Sequence, residues 1–118
     1  MAKERLDKIN VLDTEYKIEY RDSQDDFYLE DCLGYCDKYQ KLIVISDDWD
    51  DIKGKQWVRS YDMLQKKVLR HELTHAFLTE CGLSESSFNQ WANNEEMVDF
   101  LAINAEKLVR LYKKAGAL

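Results

Sequence analysis

The 118-residue chain is 45% hydrophobic and 34% charged, with a formal net charge of −6. That length and apolar content suffice for one compact domain, read as residues 1–118, and leave little room for a second. The acid excess, concentrated in Asp22 to Asp31 and Asp47 to Asp51, excludes the basic surface a nucleic-acid partner requires. In chain order, Met1 to Lys8 is charged and lacks the apolar core of a signal peptide, and no run approaches the roughly 20 apolar residues that span a bilayer. A cytoplasmic protein with no membrane partner is expected. Val11 to Tyr20 alternates Leu12, Tyr16, Ile18 and Tyr20 with polar residues, which predicts a strand. Leu33 to Asp37, the linker Lys38-Tyr39-Gln40 and the run Leu42-Ile43-Val44-Ile45 within Lys41 to Ser46 predict an antiparallel hairpin.

Cys32, Cys36 and Cys81 make an odd count, so reduced thiols are the default. Cys32-x-x-x-Cys36 has no nearby partner pair to complete a metal site, and partly buried thiols on a strand are the better reading. Asp47-Asp48-Trp49-Asp50-Asp51 lacks the alternating ligands and central glycine of a calcium loop, so a solvated acidic loop is expected. Trp49, Trp57 and Trp91 are assigned to core or rim.

From Tyr61 to Cys81, Leu64, Val68, Leu69, Leu73, Ala76, Phe77 and Leu78 recur at helical spacing among Lys66, Lys67, Arg70, Thr74 and Glu80. Ser60 suits the N-cap, Asp62 the first turn, and Gly82 the left-handed residue that ends a helix. Within this helix stands His71-Glu72-Leu73-Thr74-His75. Histidines four residues apart project from one helix face, where neutral imidazoles can share one metal ion. Glu72, about 100° round the helix, can lean toward a water at an open coordination position. An H-E-x-x-H string arises by accident in roughly a few per thousand chains of this length, so its context decides.

A catalytic zinc usually takes three protein ligands, and the chain's two histidines are both already used. A carboxylate or a cysteine must complete the set. Cys81, six residues beyond His75, is turned roughly 240° away on the same helix. A second amphipathic helix is predicted from about Asn93 to Lys114, carrying Leu101, Ala102, Ala105, Leu108, Val109 and Tyr112. Glu95, Asp99, Ala102 and Glu106 fall along one stripe of it. Glu95 is the favoured third ligand, Asp99 one turn on can accept the other ring N–H of a ligating histidine, and Ala102 permits close helix approach. Glu96 competes, although Asn93 with Glu96 three residues later also reads as a capping box that would occupy that side chain.

H-E-x-x-H, nineteen intervening residues, then a glutamate with an aspartate four positions later resembles the gluzincin metallopeptidase pattern, in which Glu95 holds the third ligand's place. Arg70 to Leu78, "RHELTHAFL", and Glu95 to Ala102, "EEMVDFLA", resemble more narrowly the small ImmA/IrrE-like metallopeptidases of bacteria, phages and integrated elements. In those relatives the second helix often reads E-x-x-x-N-x-F-A, where this chain has Asp99 and Leu101. The expected fold is α+β: a small antiparallel sheet packed on two long helices, a minimal zincin-like core. The resemblance implies a zinc-dependent peptidase with zinc held by His71, His75 and Glu95, Glu72 as general base and a peptide or protein as substrate. The oxyanion helper would be a tyrosine, a cation or backbone N–H groups, and a peptide could lie extended along an exposed sheet edge. The alternative is a regulatory or protein-binding module that keeps the scaffold with little or no proteolysis and takes a regulatory protein as partner. A helical core whose motif is accidental is the third reading.

Overall fold

The computed structural model describes residues 5–48 and 61–118. Ser60, Trp49, Trp57, Asp50 and Asp51, to which the sequence assigns a cap, packing and a solvated loop, lie outside the described residues. Leu12 and Asp13 take positive φ values of 48° and 70°, and Asn10 Oδ1 accepts the Asp13 N–H at 2.7 Å. This two-residue turn folds the predicted strand back on residues before it, giving β1 (Lys8–Val11) and β2 (Thr14–Arg21) as an antiparallel pair. Two positive φ values give the twist that suits a tight hairpin. Because the residues that adopt them are not glycine or asparagine, the turn carries no strong sequence signal.

The expected second hairpin is present as β3 (Gly34–Asp37) and β4 (Leu42–Ser46), closed by Asp37 Oδ1 accepting from the backbone of Tyr39 and Gln40. The sheet order is β1-β2-β4-β3, and β2 pairs with β4 in parallel. The sheet is therefore mixed, not wholly antiparallel as expected. After β2 the chain makes an excursion through the 3₁₀ turn Phe27–Glu30, braced by an Arg21–Asp26 ion pair at 2.7 Å and the Tyr35 hydroxyl on Asp26. The excursion reverses the chain, so β3 takes the outer edge and β4 enters beside β2 in the same direction. Parallel partners need such a crossover.

All five residues of β4 are buried because both faces of the sheet are covered. Ile43 and Ile45 join Tyr16, Ile18 and Val11 against α1 (Tyr61–Glu80), which contributes Ala76 with Val68, Leu69 and Leu73. Leu42 and Val44 point the other way, onto Leu29 of the excursion. α1 ends as expected, with Gly82 at φ 82°. Its last residue, Glu80, accepts from Thr14 Oγ1 at 2.8 Å, Tyr16 Oη at 2.6 Å and Lys41 Nζ at 2.8 Å, which ties the helix end to the sheet. Those donors hold the Glu80 carboxyl down near pH 2, below its ordinary range.

A short α2 (Leu83–Ser86) and a 3₁₀ segment (Phe88–Asn93) lead into α3 (Glu95–Lys114). Leu78 of α1 packs with Ala92 and Val98, so α3 lies along α1. The cap differs from expectation. Asn94, not Asn93, caps α3 by accepting the Met97 N–H at 3.0 Å, while Asn93 Nδ2 donates to the Ser84 carbonyl at 2.7 Å. Methionine at the third helical position cannot reach back, so no capping box forms and Glu96 is exposed. The α+β class with two long helices is as expected. Among the described residues no helix is long and apolar enough to cross a membrane.

Gly34 sets how closely β3 approaches α1. A Cβ there would lie 2.7 Å from Val68 Cγ1 and 2.9 Å from the Val44 carbonyl oxygen, and the second of these is backbone. Gly34→Ala should therefore destabilise the fold by about 1–3 kcal/mol, as overpacking does, read as a lower denaturation midpoint with an unchanged denaturant slope. A neutral substitution would show that the sheet and helix have slack at this contact.

Candidate metal centre

α1 and α3 run antiparallel, so that moving down one helix by a turn moves up the other by a turn. His75 Nε2 meets Glu95 Oε1 at 2.7 Å, His71 Nε2 meets Glu95 Oε2 at 3.0 Å, and His71 Nδ1 meets Asp99 Oδ1 at 3.3 Å. The two imidazole centroids stand 5.0 Å apart. The helical spacing of His71 and His75 puts both rings on the face toward α3, and the Asn94 cap starts α3 so that Glu95 is its first residue. The histidine side chains are largely covered, at 15% and 19% exposure, whereas Glu95 is 73% exposed.

One ligand atom from each of His71, His75 and Glu95 lies within 4.8 Å of the others. Tetrahedral zinc with bonds of about 2.0–2.2 Å has ligand–ligand edges of about 3.4 Å. The 2.7 and 3.0 Å contacts fall short of that by less than an ångström, a distance that rotation of the exposed Glu95 side chain can open. Donor chemistry points the same way. A neutral imidazole carries one N–H and one lone pair, yet both nitrogens of His71 face carboxylate oxygens. With the proton on Nδ1 toward Asp99, the Nε2 lone pair faces Glu95, an arrangement that a cation between them would satisfy. Burial lowers the pKa of His75, with Glu95 opposing and His71 reinforcing, and this favours the neutral ring a metal requires. Two nitrogens and a carboxylate thus fit a divalent transition ion.

Glu72 is 6% exposed. Burial pushes its carboxyl up to about 7, with His71 opposing the rise and Glu95 adding to it. Two cavities flank the histidines. One of about 290 Å³ is lined by Leu64, Lys67, Val68, Glu72 and Asp99 with Cys32 to Gly34. The other, about 500 Å³, runs along Gly34 to Tyr39 beside His75 and Thr79. Gly34 and Glu95 line both, so the cleft follows β3 with the three candidate ligands midway. The Ser46 N–H donates to the Leu33 carbonyl, which makes Leu33, Tyr35 and Asp37 the residues bonded to β4. By alternation the backbone groups of Gly34 and Cys36 face outward, away from the sheet.

The candidate residues therefore gather as follows. His71, His75 and Glu95 converge, with Asp99 behind His71 and Glu72 beside them. Glu96 lines neither cavity, and Cys81 is exposed beyond the end of α1. Cys36 sits half-buried on β3, its thiol pushed up to about 12 by burial, and Cys32 donates its thiol to the Tyr28 carbonyl at 3.2 Å. Among the described residues no second group of potential ligands forms around them. Lys67 and Gly34 were not foreseen as cleft residues. Lys67 stands one turn before His71 on the same helix face, and that spacing was available to find it. No protein-family model matches the chain, and no curated protein or solved structure matches it.

If this geometry holds a metal, Glu95→Ala should lower bound zinc at least tenfold while Glu96→Ala leaves it unchanged, as elemental analysis of dialysed protein would show. Asp99→Ala in the same assay should weaken affinity by roughly 10 to 100-fold through loss of the ring orientation. Equal losses in the two glutamate variants would remove Glu95 from the site.

Proposed function

We propose that the chain is a zinc-dependent peptidase. The observation that carries this reading is the convergence of two imidazoles from one helix and a carboxylate from another beside a buried glutamate, within a cleft that follows a sheet edge. His71, His75 and Glu95 would hold the ion, and zinc so held supplies a Lewis acid for the scissile carbonyl and acidifies water toward a pKa of about 7. Asp99 keeps the His71 proton on Nδ1 and the Nε2 lone pair free. Glu72 takes the proton from the attacking water and returns it to the leaving amine nitrogen. A carboxyl titrating near 7 exchanges protons in both directions at neutral pH. The outward C=O of Gly34 and the N–H and C=O of Cys36 receive an extended peptide as an added strand, which fixes its main chain and leaves side-chain selectivity to the cavities on either side, while the Gly34 N–H is already bonded to the Cys32 thiol.

The motif spacing and the resemblance to gluzincins, and within them to the ImmA/IrrE-like metallopeptidases, support the same reading. A second reading, a regulatory or protein-binding module that retains the scaffold, is favoured by the openness of the site, since Glu95 is 73% exposed. Water exclusion is part of what closed active sites supply.

Glu72→Gln separates the two, because it keeps size and polarity but removes the base. Zinc content should stay the same while hydrolysis of an unfolded protein falls by roughly 10² to 10⁴. A chelator should abolish the activity of the parent chain. Full activity in a zinc-loaded Glu72→Gln protein would take Glu72 out of the mechanism, and a zinc-loaded parent without hydrolysis would favour the binding module.

A further inference from the structure

Beyond Ala102, α3 leaves the body of the molecule, and every residue from Ala105 to Leu118 is exposed. Its apolar stripe does not end there. Val98, Leu101 and Ala102 are covered, and the same stripe continues through Ala105, Leu108, Val109 and Tyr112, with Leu111 at its margin. Leu108, Val109, Leu111 and Tyr112 are 45, 41, 61 and 44% exposed. Single exposed apolar residues are ordinary, but a row along one helix face marks a contact surface. Lys107 and Lys114 border the row on one side and Lys113 on the other. None of the three is in an ion pair among the described residues, whereas Arg110 is held by Glu106 at 3.2 Å.

The chain carries a matching surface elsewhere. On the excursion between β2 and β3, Phe27 and Tyr28 are 74 and 71% exposed. Around them stand the exposed carboxylates of Asp25, Glu30 and Asp31, which have no ion pair among the described residues. The surface is built, since Leu29 anchors it in the core and the Arg21–Asp26 pair braces its base. Three free lysines about an apolar helix row thus face, on another part of the molecule, three free carboxylates about an aromatic pair.

We propose that the C-terminal half of α3 docks on the Phe27–Tyr28 surface of a second copy of this chain. The argument is charge complementarity. An acidic chain of net charge −6 repels its copies, and this pairing sets its local basic region against its local acidic one. A symmetric contact between two α3 helices would instead bring six lysines together. Because the two surfaces differ, the contact is heterologous: each docking leaves one free helix and one free aromatic surface, so copies add head to tail. One helix face and one short segment cover less than the about 800 Å² per partner of a standard interface, so the association is weak, in the range of tens to hundreds of micromolar.

Sedimentation velocity on the full chain over about 10 µM to 1 mM should show concentration-dependent association, weakened roughly tenfold or more as salt rises from about 0.05 to 0.5 M. Leu111→Glu removes the helix surface and Phe27→Lys removes the aromatic one, and each variant alone should be monomeric. An equimolar mixture of the two should form a dimer and stop, because only one intact helix meets one intact aromatic surface. The double charge reversal Lys113→Glu, Lys114→Glu should weaken association in the otherwise native chain, and circular dichroism checks that every variant keeps its helices. A parent chain that stays monomeric to 1 mM overturns the proposal, including one that binds anionic lipid vesicles through Leu111. So does a mixture that remains monomeric, a single variant that still self-associates, or association indifferent to salt.

Discussion

Register between two antiparallel helices governs everything at the centre of this molecule. Glu95 reaches both histidines, and Asp99 reaches His71, only while α3 lies alongside α1 at one particular offset. A slide of one residue moves a side chain by about 1.5 Å along the axis and turns it by about 100°, enough to break all three contacts. Leu78, Val98 and Ala92 hold the offset by packing, and Ala102 keeps the helices close. The Asn94 cap supplies the remaining constraint, since it makes Glu95 the first residue of α3.

The same helix that carries the histidines covers the sheet, and Gly34 links the two roles. Its missing side chain lets β3 lie against Val68, one turn before the motif, so the β3 edge, which pairs with no further strand among the described residues, runs beside the imidazoles. An unpaired edge invites unwanted strand pairing, and proteins usually blunt it. Here β3 is only four residues long, ends in Asp37 and is followed by Lys38, while Gly34 and Cys36 keep outward backbone groups within the cleft. The proposed peptidase reading thus depends on a local packing accommodation as much as on the ligands themselves.

Helical content and the two helical faces were legible in the sequence because apolar spacing and end signals agree there: Gly82 ends α1 as its position implies, and His71, His75, Glu95 and Asp99 share a centre because each lies on the face its spacing dictates. The β3–β4 hairpin was legible from its apolar run and polar linker. What escaped was non-local or locally ambiguous. Nothing in the alternation of Val11 to Tyr20 reveals that Leu12 and Asp13 turn the chain, since Leu12 rarely takes positive φ and a lone aspartate that tolerates it is a weak signal. The side of the sheet on which the second hairpin docks depends on the path of residues 22–33, which is tertiary information. Asn93 and Asn94 are both good caps, and the Asn93–Ser84 contact, invisible in one dimension, decides between them.

X-ray absorption at the zinc edge of the purified, zinc-loaded chain tests the central claim most directly, because it reads ligand atoms without relying on catalysis or on any variant. Ligation by His71, His75 and Glu95 predicts a first shell of only nitrogen and oxygen at about 2.0–2.2 Å, with the outer-shell scattering of two imidazoles. A sulfur shell near 2.3 Å would place the metal on Cys32, Cys36 or Cys81, and absence of imidazole scattering would remove the histidines, either of which contradicts the account.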